Sequence, residues 1–423
     1  MTLRRISALV VGGLSLVIAA LETSACGGSP SHHRVEPPSA DLAEAMRAYA
    51  EDPSVGRRGL ERSLVRRDNS YAVLRLAAYD EAHWGRLAEY DAPTAPMLVA
   101  GEGGAMPAPP PGDASWTSID ARATGWSLQE LRALGERAFF RYPVQSSGTM
   151  PAALATRDHA GVWQHEGRFG AVWVSLPRGL VRASFTCATC HASTTGDRLV
   201  VGRNNADLDA ARVYDDHNGN EGSAPRAPRG PLPGWGRGLV DVTADGVDNP
   251  VAITDLRPVR HQQHLHHAAT LHNDPVALAV RIETLMITGN GQAVRPPRKI
   301  AAALAVYLLG LAPATPLPGG EGAPIFAREC GGCHRGEGAS GAPVALAVIG
   351  TDPAVGASTD RGTGFYRVPS LRLVGDRRRL FANGAVEDLE ALLAPDRAVP
   401  GHRYGLGLDA HDRDALLTYL RGL

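Results

Sequence analysis

Two short stretches of the chain place two cysteines and a histidine in the pattern Cys-x-x-Cys-His. The six residues are Cys187, Cys190 and His191 in the first stretch and Cys330, Cys333 and His334 in the second. Two intervening residues in a helical turn separate the thiols by the distance between the vinyl groups on one porphyrin edge, and the next residue then lies under the ring. The pattern predicts two covalently bound haem c groups, with His191 and His334 as proximal iron ligands.

Three other interpretations use the thiols alone: a thioredoxin-like dithiol, a zinc site built from both cysteine pairs, and two local disulfides. None of them explains why a histidine directly follows each pair. The exported location implied by the N-terminal sequence also weakens the dithiol and zinc interpretations. Haem attachment is therefore the preferred interpretation of both stretches.

The N-terminus has the layout of a secretory signal. Arg4 and Arg5 precede an apolar stretch from Ile6 to Leu21, and small residues then lead to Cys26. This junction resembles the lipobox of bacterial lipoproteins, in which the cysteine is lipidated, although Thr23 stands where those proteins usually have leucine. The resemblance implies a lipoprotein of the periplasm or cell surface that meets the membrane only through a lipid anchor at Cys26. Secretion without an anchor is the alternative.

Composition and charge describe an ordinary globular protein. The chain has 423 residues, of which 44% are hydrophobic and 21% charged, and its formal net charge is -1. This balance argues against nucleic acid as a partner. Of the five cysteines, the two motifs use four, so if Cys26 carries lipid none is left for a structural disulfide.

The predicted fold class is mainly α, with two cytochrome c-like haem modules, long irregular loops and a C-terminal module resembling class I cytochrome c. Ser127 and Glu130 form a capping box, prolines begin helices at Pro275 and Pro297, and residues 169–181 alternate as in a β-hairpin. The predicted segments are a lipoprotein-type signal peptide (1–25), a flexible tether (26–40), an N-terminal helical and loop extension (41–120), the first haem module (121–311), a linker (312–324) and the second haem module (325–423).

The order of these segments resembles the bacterial di-haem cytochrome c peroxidase family and its less characterised di-haem relatives. Besides the haem motifs, the resemblance rests on the phrases at 134–139, 201–206, 295–298, 362–371 and 401–407. In that family the C-terminal haem receives electrons and the N-terminal haem reduces peroxide. Two departures weaken the transfer of that activity. The stretch 380–384 lacks the histidine that relatives often carry there, and no methionine follows Met286, so the usual thioether ligand of a high-potential haem is absent.

Histidines are the main candidates for the sixth iron ligands. His264 and His266, in a histidine-rich run, are the choices for the first haem. His402, which follows Pro400 and Gly401 in a loop, is the choice for the second, with Met286 as a lower alternative. The other candidates within the second module are Tyr366, Tyr404 and His411. The arginines that fit haem propionates are Arg203, Arg257, Arg260 and Arg367.

A calcium site is a weaker expectation. Oxygen-bearing side chains alternate over residues 215–221, and Asp245, Asp248 and Asn249 carry a similar signal. The segment lacks the glycine placement and distant glutamate of an EF-hand loop, so a polar turn is the preferred interpretation. Calcium near the haem interface is known in the resembled family.

The predicted function is electron transfer through two haems. The expected partners are redox proteins: a small cytochrome, a copper protein or a quinol-linked complex. The alternative is a peroxidase-like enzyme that reduces hydrogen peroxide at one haem with an open distal site, and a haem-based sensor or assembly factor is a weaker third class. The missing methionine and histidine favour the carrier, while the question of whether the protein is an enzyme stays open.

Overall fold

The structure is a computed structural model in which helix accounts for 38% and strand for 17% of the residues. It describes residues 40–80, 82–98, 109, 116–148, 150–213, 235–243, 248–312 and 315–423. The strands form several small antiparallel sheets. The protein is therefore mixed α/β, and the prediction of a mainly α fold built from cytochrome c-like modules is wrong.

Thirteen α-helices lie in the described residues. They are α1 (Ala40–Glu51), α2 (Pro53–Ser63), α3 (Ser70–Ala78), α4 (Leu128–Arg141), α5 (Met150–Leu154), α6 (Cys187–His191), α7 (Ala210–Val213), α8 (Pro275–Gly289), α9 (Arg298–Leu309), α10 (Gly322–Glu329), α11 (Leu346–Ile349), α12 (Leu389–Leu392) and α13 (Ala410–Arg421). No helix in this part of the chain is both long enough and apolar enough to cross a membrane.

The strands explain why the fold class was mispredicted. They are β1 (Thr94–Leu98), β2 (Gln145–Ser147), β3 (Gln164–His165), β4 (Arg168–Leu176), β5 (Leu180–Phe185), β6 (Ala192–Thr195), β7 (Arg198–Val201), β8 (Leu239–Val240), β9 (Val251–Ala252), β10 (His264–Leu265), β11 (Leu271–His272), β12 (Gly341–Ala345) and β13 (Phe365–Val368). Only the β4–β5 hairpin had a local alternation signal. The largest sheet, ordered β1-β4-β5-β2 with β3 beside β4, also needs the distant pairing of Thr94 with Val174. Local periodicity does not report such pairing.

The helix-start signals of the sequence are confirmed. In the capping box, Ser127 Oγ accepts from the Glu130 amide at 3.2 Å, and the Glu130 carboxylate accepts from the Ser127 amide at 3.1 Å. Helix α8 begins at Pro275, directly after its N-cap Asp274. Helix α9 begins one residue after Pro297. These signals depend on neighbouring residues only, so they predict the helix starts correctly even though the predicted fold class is wrong.

Three hydrophobic clusters form the interior around the two motifs. We name them the helical cluster (for example Met46, Leu134 and Leu304), the sheet cluster (Met150, Phe169 and Phe185) and the C-terminal cluster (Phe326, Leu416 and Leu420). Helices α1, α2, α4, α8 and α9 meet in the helical cluster, whereas α10 and α13 meet in the C-terminal one. Cys187 of the first motif packs against the helical cluster, and Cys330 of the second motif packs against the C-terminal cluster.

Both helix pairs cross at a glycine. A Cβ at Gly135 of α4 would lie 2.1 Å from the carbonyl oxygen of Ala303 in α9, and a Cβ at Gly322 of α10 would lie 2.2 Å from that of Ala415 in α13. Neither position leaves room for a methyl group, because backbone lies opposite it. The close approach brings the first and last helices of the C-terminal segment together beside the second motif.

We expect Gly322→Ala to destabilise the protein by about 1–3 kcal/mol, because the added methyl must push α10 away from α13. The measurement is urea unfolding followed by circular dichroism. Gly319→Ala is the matched control, since a Cβ there meets nothing within 4 Å. Equal free energies of unfolding for the two variants would contradict the close helix crossing.

Candidate haem sites

The first motif forms the short helix α6 at the end of strand β5. Thr186 precedes it, and its backbone N–H donates to Thr189 Oγ1 at 2.9 Å. Trp163 Nε1 donates to the carbonyl oxygen of Ala188 at 2.7 Å, which fixes the turn from outside. Cys187 packs against the helical cluster and Cys190 against the sheet cluster. The two thiols therefore lie at the junction of two apolar clusters.

The second motif continues the chain from helix α10. The amide of Cys330 donates to Phe326 O at 2.8 Å, and the amide of His334 donates to Cys330 O at 2.9 Å. The motif therefore forms a helical turn that follows α10 directly. Cys330 packs against the C-terminal cluster. The helical geometry required for attachment of one porphyrin edge is present at both motifs.

The thiols are not set up for dithiol or zinc chemistry. Burial raises the pKa of Cys187, Cys190 and Cys330 to about 12, so these thiols stay protonated at neutral pH. A thioredoxin-like cysteine needs a lowered pKa, and zinc binds thiolates. Within the described residues, no group of three or more His, Cys, Asp or Glu is arranged to hold a metal ion. The raised pKa of these three thiols favours neither a reactive dithiol nor a zinc thiolate site.

The two motif histidines share one hydrogen-bonding pattern. His191 Nδ1 lies 2.8 Å from Thr254 O, and His334 Nδ1 lies 3.1 Å from Ala339 O. Burial lowers the pKa of each imidazole to about 4, so both rings are neutral at pH 7. Because a carbonyl only accepts, Nδ1 carries the proton and Nε2 keeps its lone pair. This tautomer is the one that binds a metal through Nε2, with its other nitrogen held by a backbone oxygen.

A cavity of about 690 Å³ lies beside the second motif, and Cys330, Cys333 and His334 line it. Its volume falls within the range of roughly 300–1,000 Å³ that is typical of small-molecule and cofactor sites. The apolar side chains on its walls include Leu371, Val374, Leu389, Leu393 and Leu420. The Cys330 thiol, an available imidazole nitrogen and an apolar chamber suit a covalently bound haem, and Cys333 lies in the same cavity wall.

His402 lines the same cavity as His334, although 68 positions separate them in the numbering. Its backbone N–H donates to Ile349 O at 2.7 Å, and its φ of 44° is in the left-handed region. Preceding Gly401 packs so closely that a Cβ there would lie 2.3 Å from the amide nitrogen of Thr351. Buried His402 Nδ1 has no hydrogen-bond partner among the described residues, and burial lowers the pKa of the ring to about 4. This neutral imidazole fits the iron.

Two of the other candidates for the second haem, Tyr366 and Tyr404, also line the cavity. Tyr366 Oη donates to Asp352 O at 2.6 Å and accepts from the Gly356 amide at 3.2 Å. The side chain of His411 is 79% exposed. Met286 is buried in the helical cluster. Tyr404 lines the cavity, with its ring 5.5 Å from that of His402.

Each candidate ligand of the first haem has a ring contact or a hydrogen bond with another side chain. His264 is buried, and its ring centroid lies 4.7 Å from that of His272 across the β10–β11 pair. His266 Nε2 accepts from Arg281 Nε at 2.6 Å, and its φ is 63°. Both retain a buried Nδ1 without a hydrogen-bond partner in the described part of the chain. Their assignment as ligands therefore stays a prediction.

Sequence reasoning missed Thr254 and Phe381. The carbonyl oxygen of Thr254 accepts the hydrogen bond from His191 Nδ1, and Thr254 also lines the cavity beside the second motif. No side-chain pattern predicts a backbone acceptor. Phe381 lies in the stretch where relatives often carry a histidine, and it forms part of the cavity wall 6.0 Å from the His402 ring. That departure from the resembled family was the available signal that this stretch borders the site.

The calcium and lipid predictions fall mainly outside the described residues. Residues 215–221, Asp245 and Cys26 are not described. Asn249 is described, and its amide donates to Asp241 Oδ2 at 3.1 Å. This contact gives the calcium expectation no support beyond a polar turn.

Comparison of the chain with protein-family models, with curated proteins and with solved structures found no match. The resemblance to di-haem peroxidases accordingly stays a prediction based on the motifs themselves.

Proposed function

We propose that this protein is an exported di-haem c-type cytochrome that transfers electrons. The observation that carries the proposal is the cavity in which the second motif meets His402. The Cys330 thiol, the neutral His334 and an apolar lining suit a covalently attached haem. When bound, haem supplies an iron that changes oxidation state by one electron.

The segment around Thr254 supports exchange of electrons between the two sites. Thr254 O accepts the hydrogen bond from His191 Nδ1, and Ile253, Thr254 and Asp255 all line the cavity beside His334. The candidate iron ligand of the first site is thus one hydrogen bond away from a wall of the second. Such a short protein path favours a relay over two independent centres.

His402 favours a carrier over an enzyme at the second site. If His334 and His402 both held the iron, no coordination position would remain for peroxide, and the closely packed Gly401 holds the His402 loop in place. The proposed partners are a small cytochrome, a copper protein or a quinol-linked complex in the periplasm or at the cell surface. The proposed anchor is lipid at Cys26, while calcium remains a weaker proposal.

The test is an optical and EPR redox titration of the protein produced with a cytochrome c maturation system. We expect two haems per chain, both low-spin and both unreactive towards cyanide and peroxide after half-reduction. A blank haem stain on a denaturing gel would overturn the proposal. A high-spin haem that consumes peroxide after half-reduction would instead favour the peroxidase-like alternative.

A further inference from the structure

Charged side chains gather at and behind one part of the cavity wall, where Asp255, Arg367 and Arg377 line the cavity. We call this group the arginine cluster: Arg203, Arg257, Arg367 and Arg377 with Asp255 and Asp376. Arg203 pairs with Asp376 at 3.3 Å, and Arg377 pairs with Asp255 at 3.3 Å. Arg257 pairs with both aspartates, at 2.5 and 2.6 Å. Four guanidinium groups therefore face two carboxylates, which leaves two positive charges in excess.

Arg367 is the member of the cluster without an ion pair among the described residues. Its backbone N–H donates to His267 O at 3.0 Å, and Nη2 makes a long contact of 3.4 Å with Thr254 Oγ1. Its Nε is buried without a hydrogen-bond partner in the described part of the chain. Burial, followed by the charge of neighbouring Arg377, lowers the pKa of Arg367 to about 10. A buried cation in this position needs an anion.

The cavity is where that anion belongs, because Arg367 lines it together with Cys330 and His334. A haem carries two propionates, which match the two excess positive charges of the cluster. Arg203 and Arg257 already pair with aspartates, so of the arginines in the cluster Arg367 has the most unused hydrogen-bonding capacity. An arginine fork binds a carboxylate through two parallel N–H···O bonds.

We propose that Arg367 binds a propionate carboxylate of the haem attached at Cys330 and Cys333 and thereby sets the reduction potential of that haem. The inference rests on the proposed function. The bound cation opposes the additional positive charge of ferric iron, so it favours the reduced state. Arg367 would contact the propionate and not the iron, so it would affect the iron only through the charge that it places beside the ring.

The experiment is spectroelectrochemistry of the full-length holoprotein with Arg367→Gln, Arg367→Lys and Arg421→Gln. Arg421 is the matched control, because it lies in the same module, is half-exposed and pairs with Glu390. The redox wave of the second haem is identified as the one that moves in His402→Met. Resonance Raman spectra of the propionate bending region provide a second readout.

We expect Arg367→Gln to lower the equilibrium constant for reduction of that haem at least tenfold, about 59 mV for one electron, and to move the propionate band. Arg367→Lys should give a smaller shift. If Arg367→Gln does not accumulate as holoprotein, the reduction potential and the propionate band of Arg367→Lys are compared with those of Arg421→Gln instead. The proposal is overturned if neither readout differs from Arg421→Gln. Absence of covalent haem from every form would instead refute the proposed function, which separates the two failures.

Discussion

Replacing Cys330 and Cys333 together by serine is expected to lower the haem content from two per chain to one. The physical reason is that in the proposed second site both thioether bonds would start from these two cysteines, whereas Cys187 and Cys190 lie on a separate helix against other clusters. The pyridine haemochrome assay, normalised to protein, measures the change. A haem stain on a denaturing gel should fall by about half, since covalent attachment survives unfolding.

Two controls define this result. The reciprocal variant Cys187→Ser with Cys190→Ser should also retain one haem, and the haem that remains should have the other redox wave. Cys26→Ser removes the fifth cysteine and should leave two haems per chain. Retention of both haems in the double variants would show that the cysteines of the two motifs are not the attachment points.

Local sequence signals predicted the helices well. Ser127 and Glu130 fixed the start of α4, and Pro275 fixed the start of α8, because capping bonds and proline geometry depend on neighbouring residues only. The segment from Leu60 to Tyr79, in which Leu, Ala and Tyr have helical spacing, is divided between α2 and α3, with Asn69 capping the second. The Asn69 side chain accepts from the Ala72 amide, a signal that was present in the sequence and not used.

Local sequence signals of this kind could not predict most of the sheets. Strands β8, β9, β10 and β11 contain two residues each, too few to show any alternation. They exist because distant segments meet: Leu239 pairs with Ala252, and His264 pairs with His272. Strand assignment at this length requires the tertiary contacts to be known first, and for this reason the helical content dominated the sequence-based interpretation.

The candidate site was predictable in its residue types and not in its geometry. The spacing of Cys330, Cys333 and His334 predicts the chemistry by itself. The assignment of His402 to the second haem and of His264 or His266 to the first is different, because it depends on which segments border the cavity. Only His402 of these three lines the cavity of the second motif. The cavity walls come from regions that are far apart in the chain, among them residues 252–267, 328–335, 344–351, 366–393 and 402–404.

The replacement His402→Ala is expected to convert the second haem from low-spin to at least partly high-spin. Removal of the imidazole opens a coordination position, so cyanide should bind at least about tenfold more tightly, a change of about 1.4 kcal/mol. EPR of the oxidised protein and a cyanide titration followed at the Soret band measure the two effects. The first haem should keep its spectrum, since His191 and Thr254 are unchanged.

Replacement of the same residue by methionine separates ligand loss from simple disturbance of the loop. His402→Met should restore a low-spin haem with a higher reduction potential, because a thioether ligand favours ferrous iron. His411→Ala is the control, since that histidine lies on the same module with its side chain 79% exposed, and it should change neither spectrum nor potential. If His402→Ala stays fully low-spin and fails to bind cyanide, another side chain holds the sixth position. Tyr404 would then be the first to replace, because its ring lies beside His402 in the same cavity.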